Sequence, residues 1–234
     1  MKKRNLMQGR PGLRCPGVFR ILAAGICLTA AAAGTTAALR YQNTSPKRLP
    51  DQYDGYIPQI HSSSDRDQDG IDDQTDILEG ALAYIASRPR YKSRYYQTGY
   101  PDDGCGVCTD VVAAALKNAG YDLMLLVEED EEARPEDYGI ETPDRNIDFR
   151  RVRNLKVYFR HTAMSLAADL SRPEEWQGGD IVIFQNHIGI VSDRRNEDGI
   201  PYVIHHNDPW QTRYEQDILE SREDIEGHYR VKGQ

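Results

Sequence analysis

Apolar residues at helical spacing and β-branched runs occupy separate stretches of this chain, and that separation constrains its fold more than any other feature. "TDILEGALAYIASRP" (75–89) places Ile77, Leu78, Ala81, Leu82 and Ile85 on one helical face, with Pro89 to stop the helix. "CTDVVAAALKNAG" (108–120) does the same with Val111, Val112, Ala115, Leu116 and Ala119, and Gly120 follows at the C-terminal cap position. Later, "GDIVIF", "HIGIVSD" and "PYVIHH" are β-branched runs broken by "QN" and by the turn-forming "RRNEDGIP". Helices first and an antiparallel sheet second predict an α+β domain, not a doubly wound one. Between them the acidic, proline-containing segment 128–146 reads as a long surface loop, followed by a short amphipathic helix in "FRRVRNLKVYFRH". The 234 residues suffice for one sizeable core with extensions.

The N-terminal extension has its own signature. The first forty residues carry seven basic side chains (Lys2, Lys3, Arg4, Arg10, Arg14, Arg20 and Arg40) and no acid. Most precede the uncharged run "ILAAGICLTAAAAGTTAAL", Ile21 to Leu39, which is about the length needed to span a bilayer. Residues 1–40 therefore read as a signal peptide or a signal anchor. By the positive-inside rule, all that follows is expected to be extracytoplasmic, either secreted or anchored to the cell membrane. Ile26 before Cys27 is larger than lipoprotein processing prefers, which argues against a lipidated cysteine. Residues 41–64, polar and punctuated by proline, read as a linker or stalk, and the folded domain is placed at 65–234.

Charge then excludes a class of partner. The chain's formal net charge is −8, and without the seven leader cations 22 Lys and Arg face 37 Asp and Glu, a balance of about −15. Such a polyanion has no basic patch with which to release counterions from a phosphate backbone, so nucleic acid is not an expected partner. Divalent cations are.

"DRDQDGIDDQTD" (65–76) meets that expectation. It fits a twelve-residue calcium loop with Asp65, Asp67 and Asp69 at positions one, three and five, Gly70 at six, the carbonyl of Ile71 at seven, Asp73 at nine and Asp76 at twelve. Six carboxylates this close repel one another unless a hard cation gathers them. Asp76 is shorter than the usual terminal Glu and resembles the aspartate-terminated loops of dockerin-type repeats. The competing reading is a solvated acidic linker or a helix start whose aspartates favour the dipole. A structural calcium is expected, and no organic cofactor.

"DDGCGVCTD" (102–110) holds two of the four cysteines. Thioredoxin-like exchange needs C-x-x-C after a strand, whereas "YYQTGYPDDG" precedes it here; zinc needs four ligands; a plain Cys105–Cys108 disulfide is an extracellular alternative. The remaining reading is a nucleophile, with Cys108 at a helix start where the amides and dipole favour the thiolate. A nucleophile needs a base, and the base a partner to orient it. His187 opens the strand "HIGIVSD" and His205 ends "YVIH", so adjacent antiparallel strands would bring them together at one end of the sheet.

In this order, "CTDVVAAALKNAG", "GDIVIF", "HIGIVSD" and "YVIH" resemble the signatures of NlpC-type papain-like cysteine peptidases, secreted bacterial enzymes that cut cell-wall peptides. The resemblance implies a papain-like fold, with the nucleophile at the N-terminus of a helix packed on a small antiparallel sheet. It implies catalytic roles for Cys108, His187 and His205, with Gly179 and Asp180 forming the turn before the histidine strand. "DRDQDGIDDQTDIL", "GYPDDG", "GVCTDVV", "NIDFRRVRNLKVYF" and "GHYR" more closely resemble a secreted bacterial family catalogued within that superfamily as domain of unknown function 1287, over most of residues 65–230. Val-Cys-Thr-Asp replaces the usual Asp-Cys-Ser-Gly, so the oxyanion surroundings differ. His206 or Asn207 are alternatives to His205 as third member, since strand register is set only to within a residue or two. Tyr96 or Tyr100 is a further candidate for binding the oxyanion.

The expected function is a cysteine hydrolase, an amidase or endopeptidase acting on peptidoglycan or another peptide amide. Within the fold the rival is acyl transfer to an amine or lipid. From other classes, the rivals are a calcium-stabilised extracellular binding module without turnover and a thiol-disulfide oxidoreductase using Cys105 and Cys108. In the hydrolase reading, Cys105 is expected to act as a resolving thiol that silences Cys108 under oxidation.

Overall fold

A computed structural model describes residues 16–41, 44–53 and 55–232. Helix α1 (Pro16–Tyr41) contains the apolar run and lies mostly in a unit of its own, which ends at Leu39. The leader's basic residues before Pro16 fall outside the described residues, and of the run itself the described side chains are 24–36, all exposed. Among the described residues no helix is long and apolar enough to cross a membrane.

The second unit runs from Arg40. It contains α2 (Asp73–Ala86), β1 (Arg90–Tyr91), β2 (Cys105–Gly106), α3 (Cys108–Asn118), α4 (Leu123–Ala133), α5 (Pro135–Tyr138), α6 (Arg145–Asp148) and α7 (Val152–Thr162). The strands β3 (Met164–Leu166), β4 (Ile181–Phe184), β5 (Ile188–Arg195), β6 (Pro201–Ile204), β7 (Glu215–Gln216) and β8 (Ile225–Arg230) follow. β1 and β2 form a short parallel pair. The other six make an antiparallel sheet in the order β3-β8-β4-β5-β6-β7. Helices precede the sheet, as the α+β reading requires.

Strand alternation divides the core in two. From β4, Ile181 and Ile183 face the helices, where they meet Ile77, Ala81 and Ile85 of α2 and Val111, Val112 and Ala115 of α3. Val182 and Phe184 point to the other face and pack with Trp176, Val191, Val203 and Leu219. Both faces of the sheet are thus covered, so β4 is buried at every residue and reads as a continuous apolar run.

Two expectations are corrected. Segment 128–146 is not one long loop, because α4 runs to Ala133 and α5 and α6 follow. Asp122 caps α4, and Leu123 and Val127 are buried one turn apart. Asp130 turns inward to accept hydrogen bonds from Tyr138 Oη and to contact His161 Nδ1, each at 2.6 Å. Its acidity therefore belongs partly to the interior. The described residues of 41–64 are not a free stalk either. Ser45 bridges to Arg213, two residues before β7, Arg48 pairs with Asp193 and Glu215, and Ile60 N–H donates to Gln177 Oε1 at 3.2 Å. Such an arm, held by main-chain and single-side-chain bonds, leaves no periodic trace in sequence.

Candidate active site and carboxylate loop

The chain turns from β2 into α3 at Val107, whose extended backbone makes Cys108 the first helical residue. Asp110, two residues further on, accepts a hydrogen bond from Val107 N–H at 2.8 Å and so closes the helix start. Its carboxylate is fully buried and paired with Arg150, which donates Nε to Oδ1 at 2.7 Å and Nη2 to Oδ2 at 2.9 Å. Arg150 also donates Nη1 to Arg94 O at 2.8 Å and lies 4.9 Å over the Tyr96 ring. Directly before the turn, Gly106 leaves room for a phenol: a Cβ there would sit 2.2 Å from Tyr84 Oη. Cys105 is buried in β2, and Cys105 and Cys108 are both free thiols.

The base arrives from the sheet. Gly179, at φ +91°, turns the chain into Asp180 and β4; a Cβ on it would lie 2.4 Å from Gln74 O. Asp180 is fully buried and accepts from Gln177 N–H, Gln74 Nε2, Arg230 Nε and Arg230 Nη2, with His228 Nε2 at 2.8 Å. β4 and β5 are joined by a tight turn closed by Phe184 N–H to His187 O at 2.8 Å, so His187 emerges at the sheet end. Its Nε2 lies 2.8 Å from Nδ1 of His205, just past the end of β6, with the rings edge to face at 79°. That register comes from Ile190 opposite Ile204.

Of the three candidates for third member, only His205 meets His187. His206 faces away, with Nδ1 at 3.1 Å from Tyr84 Oη and its ring between the edges of Tyr91 and Tyr214. Asn207 donates its main-chain N–H to Gln211 Oε1 and its side chain to Asp208. Gln211 is buried and donates Nε2 to His205 O at 3.0 Å, steadying the strand end.

Cys108, half-buried, packs against the core cluster that contains Ile188, the residue after His187, and the main-chain amides of Ile188 and Thr109 favour its thiolate. The helix start was expected to favour the thiolate. Burial outweighs it and pushes the thiol up to about 11, the amides of Ile188 and Thr109 and its own only partly offsetting the lost hydration. Burial likewise lowers His187 to about 4 and His205 to about 3, and His187 further disfavours charge on His205. At neutral pH the site holds a neutral thiol and neutral imidazoles.

The expected oxyanion tyrosines are engaged elsewhere. Tyr96 Oη donates to Asp103 at 2.8 Å and Tyr100 Oη to Asp122 at 2.6 Å. The phenols that feel the Cys108 sulfur are Tyr84 and Tyr91, both raised first by burial. With Asp110, Arg150 and Gln211, they are site residues that local sequence patterns do not mark.

In the carboxylate loop, ligand atoms of Asp65, Asp67 and Asp69 all lie within 4.8 Å of one another. Asp65 accepts the N–H groups of Asp69 and Gly70, so the loop wraps at Gly70. Asp73 does not join them: Oδ1 accepts Arg66 N–H at 2.8 Å and Oδ2 accepts Tyr121 Oη at 2.6 Å. Asp76 is buried, and its Oδ2 has no hydrogen-bond partner.

Set beside known proteins, the chain matches the family model described as Domain of unknown function (DUF1287) over residues 78–231. It is 38% identical over 168 residues to the uncharacterized protein YijF of Escherichia coli (strain K12), an alignment covering 66% of this chain and 80% of that protein. No solved structure matches.

Proposed function

This chain belongs to the DUF1287 family, and on that footing we propose that it is a cysteine hydrolase of the papain-like, NlpC type that cleaves peptide amides of the cell wall. One observation carries the reading. A free thiol opens α3 and packs against the core cluster that contains Ile188, and His187, the residue before Ile188, has its Nε2 2.8 Å from a second histidine. The substrate class rests on the family resemblance. Placement outside the cytoplasm, with the N-terminal segment as targeting or membrane anchor, rests on the leader's charge pattern.

The residues have distinct parts. With its Nε2 proton donated to His205, His187 keeps a lone pair on Nδ1 with which to act as the base. It takes the Cys108 proton as Sγ attacks the carbonyl carbon, so charge is generated only as the S–C bond forms. The Cys108 N–H, at the first position of the helix, is the proposed donor to the oxyanion. The imidazolium returns its proton to the departing amine as the C–N bond breaks, leaving a thioester. Water, deprotonated by His187, then releases the carboxylate and restores the thiol.

A second reading, a binding module without turnover, draws support from the uncharged state of thiol and imidazole. The oxidoreductase reading is less supported, because Cys105, the first thiol of the pair, is buried in the strand before the helix. One experiment separates them. Full chain and Cys108→Ala are incubated with muropeptides and the products weighed by mass spectrometry. Cleavage by the native chain, lost in Cys108→Ala, is expected; no cleavage by either, with equal binding, supports the module instead.

A further inference from the structure

The carboxylate loop is remote from this chemistry in sequence and contributes no group to it. Three of its aspartates converge, and repulsion among them must be balanced. Convergence alone would be an ordinary acidic surface. Asp76 is the independent observation: a carboxylate 2% exposed, its Oδ2 without a partner, on the first turn of α2 where the loop ends. It ends the twelve-residue loop that Asp65 opens, and the charges nearest in effect to it are all carboxylates, Asp69, Asp67, Glu79 and Asp65. A buried acceptor without a donor, at the end of a loop whose other carboxylates converge, lacks a cation.

We infer that residues 65–76 bind one calcium ion through Asp65, Asp67, Asp69 and Asp76, with the Ile71 carbonyl at the main-chain position of such loops. The all-oxygen, carboxylate-rich donor set favours a hard cation. Calcium suits it better than magnesium, since calcium accepts six to eight protein oxygens at 2.3–2.6 Å whereas magnesium retains several waters. Asp73, engaged by Arg66 N–H and Tyr121, is outside the set.

The site joins two helices. Gly120, just beyond α3, lies against Asp67, where a Cβ would sit 3.0 Å from Asp67 Cβ. Arg66 donates Nε to Gly120 O and lies 4.5 Å over the Tyr121 ring. A bound ion therefore fixes the start of α2 against the end of the helix that Cys108 begins. It holds the scaffold and takes no part in the reaction, so the inference stands apart from the hydrolase reading.

The test reads binding only. The full chain, stripped with EGTA, is titrated with terbium, whose emission the neighbouring Tyr121 sensitises, then with calcium as competitor; melting is followed in parallel. Calcium is expected to displace terbium at or below about millimolar concentration, the weak end of extracellular sites, and to raise the melting temperature. Asp76→Asn and the exposed Asp69→Asn should each weaken calcium binding about tenfold or more, yet melt in EGTA at or above the native temperature, because repulsion is relieved. A purely structural Asp76 would instead lower it. Absence of calcium binding at about 10 mM, well above the weak end of such sites, would overturn the inference. So would unchanged affinity in both variants, or equal stabilisation by magnesium.

Discussion

Arg150 grips both carboxylate oxygens of Asp110 from forty residues away, and Asp110 in turn holds the N–H of Val107, the residue before the candidate nucleophile. Both side chains are almost wholly buried. Removing one partner leaves the other charge buried and uncompensated. Arg150→Ala is expected to cost about 3–5 kcal/mol in urea unfolding, well beyond an exposed arginine such as Arg172.

The two bonded imidazoles make a prediction about turnover. In the proposed mechanism His205, 2.8 Å from Nε2 of His187, accepts its proton and leaves the lone pair on Nδ1. His205→Ala should lower kcat/KM on muropeptides by about 10²-fold or more, the scale of general-base catalysis. His206→Ala, whose ring faces Tyr84, should cost less in kcat/KM than His205→Ala.

Stability should depend on pH through the same rings. His187, His205 and His206 are held at about 4, 3 and 4, against an ordinary value of 6.5. Below about pH 6.5 the unfolded chain takes up protons that the folded chain refuses, so the unfolded state gains. The melting temperature should be level above about pH 7 and fall as pH drops from about 6.5 toward 4. His205→Gln should show a shallower fall, read by calorimetry across that range.

Alkylation should report the half-buried thiol. With Cys108 near 11, iodoacetamide should label it slowly at pH 7 in the substrate-free chain, and the rate should climb above pH 9. Rapid labelling near pH 6, read by mass spectrometry at each cysteine, would show a preformed thiolate-imidazolium pair and discard this picture of a neutral resting site.

Gly179 offers a test of the turn before β4. At φ +91°, with Gln74 O 2.4 Å from where a Cβ would be, Gly179→Ala meets both strain and a main-chain clash. A loss of about 1–3 kcal/mol is expected in urea unfolding.

What could be read in the sequence was what a local pattern records. Cys108 at a helix start, His187 at a strand start and His205 at a strand end follow from periodicity changing from helical to alternating nearby. That His205, not His206, meets His187 depends on strand register, and a one-residue slip exchanges their faces. Asp110 and Arg150 carry no local mark, because their pairing spans α4 to α6. Asp130 lay inside an acidic run that suggested solvent, although Tyr138 and His161 wait for it in the interior. The helix start favours the thiolate locally, whereas the burial that acts the other way depends on the tertiary packing of Cys108 and leaves no local pattern.

The position of β8 bears on when this domain can form at all. Ile225–Arg230, last of the strands in the chain, lies between β3 and β4 and pairs with both. A polypeptide emerging N-terminus first, from a ribosome or through a membrane pore, can gather α2 and α3 and even fold the β4–β5 hairpin. Until residue 230 is free, however, β4 lacks one neighbour and β3 has none. Completion of the sheet is thus timed by the arrival of β8, however much of α2, α3 and the β4–β5 hairpin has gathered before it.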